Sequence, residues 1–434
     1  MFSKTITDFR QKDKTSYDLD ELITIGVLIF LLKLESRRSV KYKLDTPHAL
    51  YNVWQFLRSG GKEAELFSDG IKEGLPHGDT INYLLSGISN DEVSKIPTEM
   101  VRALIRRKSF VLERLQSIYY IIALDGTGLI HFVERHCPNC LYRKTGTNEN
   151  GEAIYTYFHY VLEAKLITSY GLALSIATEF IENEEGFTKQ DCELKAFYRL
   201  APRLKSSFPQ MKICLIGDAL YAGKPFFDIC EKNHWKYIIS FKEGVMPATY
   251  KEYEALKSLS NKEEITKEIV TTKTFQKYTF ITDIDYGKHK LNVLELEEKP
   301  NQNKKGKQNH KFVWITNISI KKSNCEKIAK GGRLRQKIEN EGFNMQKNGG
   351  YCLEHPYSKN PTAMKNFYFL LQIAHIINQL MEKGSLLKNQ LFKVYGGIKN
   401  FTLILWRTFT TKNMDEVKFN ELLNTAIQIR FDTS

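Results

Sequence analysis

With 434 residues and a hydrophobic share of 42%, the chain has enough apolar surface for a large buried core; this excludes a disordered tail, and the length favours two or three domains. The 63 Lys and Arg exceed the 50 Asp and Glu, and the net charge of +13 favours a polyanionic partner such as nucleic acid through counterion release, although many basic proteins bind no DNA. Seven cysteines, an odd number with one close pair at Cys137 and Cys140, make no disulfide framework and point to a reducing interior.

Up to residue 116 the pattern is helical, with apolar spacings in 22–34, 49–57, 80–85 and 101–115 punctuated by Pro47, Gly60-Gly61, Pro76 and Pro97. Arg102, Arg106, Arg107 and Lys108 add charge to the last of these helices. Residues 1–116 therefore predict a helical DNA-binding domain, although a solvated charged face would carry the same residues. The apolar run 22–32 is too short to cross a bilayer, and 367–381 contains Gln372, His375, Asn378 and Gln379. The expected setting is the cytoplasm, on the nucleoid, with no membrane partner.

From Tyr119 the texture changes to strands at 119–124, 155–167, 172–182, 213–216 and 237–241, with helices at 189–204 and 225–233. Three strands, then helix, strand, helix, strand is the order of an RNase H-like mixed sheet, so 117–247 predicts the first part of an α/β core. Residues 248–322 interrupt it with a Lys/Glu-rich helical piece and strands at 277–284, 290–296 and 312–320, which predicts an inserted, mostly β subdomain. The core then resumes over 323–384, helical at 324–347 and 363–381 around Gly349-Gly350, and 385–434 form a helical tail.

Asp125 follows the apolar run Tyr119-Tyr-Ile-Ile-Ala-Leu124 and precedes Gly126-Thr127-Gly128, which predicts a carboxylate at the end of a buried strand. Asp218 repeats the pattern after Ile213-Cys-Leu-Ile216. Two strand-end aspartates can share Mg²⁺ or Mn²⁺, hard cations that take carboxylate oxygens and keep open positions for phosphate. Arg335, Glu339, Phe343 and Lys347 recur every four residues and predict one face of a helix, where Glu339 meets the metal and Arg335 and Lys347 meet phosphate. Glu341 lies about 200° away on that helix.

At these residues the sequence resembles the DDE transposases of bacterial insertion sequences, in particular those with a Tyr-x2-Arg-x3-Glu-x6-Lys signature around the catalytic glutamate. Arg335-x3-Glu339 matches the spacing, whereas position 332 is Gly instead of Tyr and Lys347 comes one residue late. Further similarity lies in Leu124-Asp-Gly-Thr127, Lys189-Gln-Asp-Cys-Glu193, Ile216-Gly-Asp-Ala-Leu-Tyr-Ala222, Ile338-Glu-Asn-Glu-Gly-Phe-Asn344 and Gly350-Tyr-Cys-Leu-Glu-His355, in the family's order over residues 75–382. The resemblance implies an RNase H-like core with a β-rich insertion before the glutamate. It also implies catalysis and metal binding by Asp125, Asp218 and Glu339, and action on terminal inverted repeats and target DNA as a homodimer. Arg335, Lys347, Lys242 and Tyr221 are the expected DNA contacts, with His355 near the cleft. A non-catalytic DNA-binding derivative and a nuclease on the same fold are the rival readings.

Cys137-x2-Cys140 offers half of a zinc site whose other ligands would come from His136, His159 or Cys192; reduced cysteines in a turn are the alternative. No group is evidently placed to orient a histidine for a Cys-His nucleophile.

Overall fold

The computed structural model describes residues 2–59, 74–135, 137–271, 274–300, 309–385, 387, 390–425 and 429–431. The chain opens with helix α1 (Leu19–Leu31), whose Leu22, Ile23, Ile25, Ile29 and Phe30 are buried nearly all round the axis, as a helix without a polar face must be. Helices α2 (Pro47–Ser59), α3 (Gly78–Gly87) and the amphipathic α4 (Asn90–Arg106) follow.

Among the described residues a sheet of ten strands then organises the protein. Its first part comprises β1 (Tyr120–Phe132), β2 (Leu141–Thr147), β3 (Ala153–Ile167) and β4 (Ala173–Ile181), with β1, β2 and β4 all antiparallel to β3. Helix α5 (Glu193–Ser207), β5 (Ile213–Gly217), α6 (Lys224–Lys232) and β6 (Lys236–Ser240) come next, with β5 parallel to both β1 and β6. Helices α7 (Pro247–Leu259) and α8 (Lys262–Ile265) lead into β7 (Thr266–Val270), β8 (Thr274–Tyr286), β9 (His289–Pro300) and β10 (His310–Thr316). The order across the sheet is β2-β3-β1-β5-β6-β10-β9-β8-β7, with β4 sharing the outer edge of β3 with β2. The mixed α/β class expected from the sequence is what the chain adopts.

Two differences from the sequence reading have physical causes. The β-rich segment makes no sheet of its own: β10 pairs antiparallel with β6 through Ile315 and Ile239, so its strands cover what would be an open edge and extend the central sheet. Strand β1 runs through Gly126-Thr127-Gly128 instead of turning after Asp125. A side chain at Gly126 would collide with the Tyr160 ring, so this glycine serves close strand packing and not a turn.

The chain finishes with α9 (Cys325–Arg333), α10 (Asn344–Asn348), α11 (Pro361–Lys383), α12 (Gln390–Tyr395), α13 (Ile398–Thr411) and α14 (Glu416–Asn424). Helix α11 is the hub: α1, α3 and α4 pack on it, and the apolar residues of the N-terminal helices form one core with Phe367, Leu370, Leu371 and Ala374. Helix α13 returns to α2, where Asn52 Nδ2 donates to the carbonyls of Phe409 and Lys412. Among the described residues no helix is long and apolar enough to cross a membrane.

A buried polar network fastens α11 to the sheet. Lys165 and Glu163 on β3 are buried 3.2 Å apart; Lys165 Nζ also donates to Gln372 Oε1 at 2.8 Å, and the Tyr368 hydroxyl donates to Glu163 at 2.9 Å. Gln346 in α10 donates to Gln372 at 2.9 Å, so the same network anchors the segment that follows Glu339. Such a network specifies one arrangement of the elements it joins, and here strand β3, α10 and α11 are tied together beside Asp125, which faces Glu163 in register.

Candidate active site

Asp125 sits on β1 just past its pairing with β5, which ends at Ala123–Ile216, and Asp218 follows β5 at once. Because β1 and β5 are parallel neighbours, both carboxylates emerge at the same end of adjacent strands, the place where open α/β sheets hold ligands. Asp218 accepts the Leu220 N–H at 2.9 Å and thereby caps the turn Ala219–Tyr221. Asp125 accepts its own neighbour's N–H, that of Gly126, at 3.2 Å.

Arg335 reaches this point from the other side: its Nη2 lies 3.2 Å from Asp125 Oδ2. The helix predicted through Arg335, Glu339, Phe343 and Lys347 is not regular. Helix α9 ends at Arg333, Arg335 stands in a turn, and Ile338–Phe343 form a π-helical turn before α10. The wider turn resets the phase, so spacing by fours no longer defines one face. Arg335 and Glu339 still face Asp125, with Glu339 acting on it electrostatically, while Phe343 is buried under the sheet. Lys347 is drawn elsewhere, to Glu354 at 3.1 Å.

A fourth carboxylate joins the cluster that sequence reasoning did not single out. Glu193 opens α5, and a side chain at Gly126 would lie 3.0 Å from its carboxyl carbon. Burial first, then Asp125 and Asp218, push Glu193 up to about 7, against the pull of the Tyr221 hydroxyl and Arg335. Burial likewise raises Asp125 to about 6, with Asp218 and Glu339 adding to the shift and Arg335 opposing it. Tyr160, pushed up to about 12 chiefly by burial, feels Glu193, Asp125, Glu339 and Asp218 together, which identifies it as their common neighbour. The signal for Glu193 is the segment Lys189-Gln-Asp-Cys-Glu193. Gln190 of the same segment serves the sheet instead, since its amide pairs with both the N–H and the C=O of Tyr142 and closes the free edge of β2.

No protein-family model matches this chain, and a comparison with curated proteins finds no match either.

The remaining expected contacts divide. Tyr221 is 1% exposed and gives its hydroxyl to Glu193 at 3.2 Å, so it props the cluster and offers DNA no surface, contrary to its expected role. Lys242 is exposed in the turn after β6. His355 is exposed against the Tyr357 ring, and partial desolvation of its ring, with Arg37 nearby, lowers its pKa. Burial, with a hydrogen bond to Cys140, pushes the Cys137 thiol up to about 11. His136 lies outside the described residues.

The donor set of the cluster consists of hard carboxylate oxygens, the chemistry that Mg²⁺ and Mn²⁺ prefer. Among the described residues, Asp125, Asp218 and Glu339 are not drawn to within 4.8 Å of one another as a trio. Burial raises Asp125 and the charges of Asp218 and Glu339 add to the shift; a divalent cation would supply neutralising charge there. A pH dependence follows. Asp125 and Glu193 hold protons in the folded protein at pH values where the unfolded chain has released them, so the stability that these two groups contribute is fully present below about pH 4 and is lost as pH rises through 6 and 7. Each shift is worth on the order of 3 kcal/mol, less when taken together because the two groups face each other. Thermal melts in EDTA should show the wild type losing stability between pH 5 and 8 and the Asp125→Asn/Glu193→Gln double variant losing markedly less; parallel profiles would refute the buried-carboxylate assignment.

Proposed function

We propose that the protein is a DNA transposase of the DDE type, which binds the ends of an insertion sequence and catalyses metal-dependent strand cleavage and strand transfer. The observation that carries this reading is the meeting of Asp125 and Asp218, from adjacent parallel strands, with Glu339 and Arg335. The strand order β4-β3-β1-β5-β6, antiparallel across the first three and parallel across β1, β5 and β6, supports an RNase H-like core, and four further strands entering between Asp218 and Glu339 agree with the insertion that the resemblance implies.

In this reading Asp125, Asp218 and Glu339 hold Mg²⁺ or Mn²⁺. Such ions stabilise the attacking and leaving oxygens of an in-line phosphodiester displacement. Arg335 holds Asp125 with one nitrogen, and its buried Nε–H has no protein acceptor among the described residues, which suits a phosphate oxygen. Glu193, with the Tyr221 hydroxyl donating to it, borders the same cluster. The partner is double-stranded DNA carrying terminal inverted repeats, bound by two copies of the chain.

The test uses a duplex with the inverted repeats that flank the gene. The expected result is end cleavage and joining of the 3′ ends to a second DNA with Mg²⁺ or Mn²⁺, and neither in EDTA. Cleavage without joining would replace transposase by nuclease, and binding without cleavage would leave a non-catalytic derivative.

A further inference from the structure

A second constellation stands apart from the acidic cluster, where the turn between β1 and β2 meets β3. Cys137 Sγ lies 3.0 Å from Cys140 Sγ, and His159 Nε2 lies 3.4 Å from the first sulfur and 3.6 Å from the second. Cys140 and His159 are buried. We propose that Cys137, Cys140 and His159 bind a Zn²⁺ ion that pins the β1–β2 turn to β3 and so fixes the hairpin formed by β2 and β3.

Tetrahedral zinc with Zn–S near 2.3 Å and Zn–N near 2.0 Å sets its S···N separations at about 3.5 Å and its S···S separation at about 3.8 Å. Both S···N distances already have that value. The two sulfurs must open by less than about 1 Å, which a small rotation about their Cα–Cβ bonds provides. Binding releases the thiol protons to solvent and leaves two thiolates and one neutral imidazole on the metal, with water taking the fourth tetrahedral position.

The turn is also held in shape from outside. Asn183 Nδ2 donates to the Cys140 carbonyl at 2.9 Å, Asn139 Nδ2 donates to the Asn183 carbonyl at 2.9 Å, and Arg135 donates to the carbonyls of Cys137 and Pro138. The ligands are thus preorganised by neighbours that do not compete for the ion. Thiolate and imidazole donors select zinc, whereas the acidic cluster selects magnesium or manganese, so the chain offers two sites of opposite hardness.

Among the described residues a further cluster of metal-ligating side chains, Asp228, Glu231 and His289, behaves differently. Lys288 lies 2.9 Å from Asp228 and 3.2 Å from Glu231, and Lys224 lies 3.2 Å from Asp228, so lysines already neutralise it. It is an ion-pair network tying α6 to β9.

The consequence concerns the β2–β3 hairpin. Its outer part displays Arg143, Lys144 and Tyr155 to solvent, and β1 beyond Asp125 pairs along the inner part of β3, so the hairpin rises from the same end of the sheet as the acidic cluster. A metal at its base sets the angle at which that basic and aromatic surface stands.

The full-length chain purified without chelator should contain about one zinc per chain by elemental analysis, falling below about one-tenth in Cys137→Ser/Cys140→Ser and unchanged in Cys352→Ser. Cobalt(II) added to folded, zinc-free wild type should give a thiolate charge-transfer band and the intense visible bands of a tetrahedral site. Hydrogen exchange in 141–158 should rise when the two cysteines are replaced. Wild type without zinc and without the cobalt spectrum would overturn the proposal, as would zinc retained in the double-serine variant. The cobalt titration on wild type decides the matter even if that variant fails to fold, and all these readouts are independent of activity on DNA.

Discussion

Replacing Asp125 or Asp218 with asparagine is expected to lower end cleavage and strand transfer by about a thousandfold or more while DNA binding persists. Each change is nearly isosteric but removes the charge that would hold a cation between β1 and β5. Asp125→Asn also relieves a buried carboxyl raised to about 6, so at pH 8 in EDTA this variant should melt no lower than wild type. Lost activity with undiminished stability separates a catalytic role from a structural one. Cleavage rates within about tenfold of wild type for either variant would remove the two-aspartate mechanism.

Glu339→Gln is expected to reduce activity to a similar degree, and Glu341→Gln to keep it within about fivefold of wild type, the scale of a lost surface ion pair. The two glutamates share one π-helical turn yet serve different surroundings. Glu339 is exposed toward the cluster and acts on Asp125 and Tyr160. Glu341 pairs with Lys337 at 3.6 Å and lies against the Gly171 turn, where a side chain on that glycine would come within 3.2 Å of its carboxylate. Cleavage assays on both variants, with circular dichroism confirming the fold, settle the order. Loss of activity on Glu341→Gln with retention on Glu339→Gln would overturn the assignment.

Much of this is legible in the sequence because strands buried on both faces write themselves as unbroken apolar runs. Residues 120–124 and 213–216 are such runs, and each leads to an aspartate, so Asp125 and Asp218 can be named without seeing the sheet. The extent of β1 is not legible, because Asp-Gly-Thr-Gly is as good a turn signal as a site of close packing; only the Tyr160 ring above Gly126 distinguishes them. Strand β2 escapes detection because its Arg143, Lys144 and Thr145 face solvent and its edge is closed by a side chain, Gln190, instead of another strand. Glu193 lies in a segment that carries the family resemblance, yet no periodicity reveals that the first residue of α5 abuts β1. The π-helical turn around Glu339 has no sequence period of its own, which is why the expected stripe through Lys347 fails while Arg335 still reaches Asp125 and Glu339 acts on it electrostatically. The joining of β10 to β6 is a long-range pairing whose alternation predicts a strand but not its partner.

In the proposed mechanism Asp125, Asp218 and their neighbouring glutamates form a divalent-cation site. Anomalous diffraction at the manganese edge, from crystals of the full chain grown with Mn²⁺, tests it most directly. A peak is expected between the Asp125 and Asp218 carboxylates, bordered by Glu339 or Glu193, and should disappear in Asp125→Asn/Asp218→Asn. Manganese bound only at Asp228, Glu231 and His289, or no peak beside Asp125, would contradict it.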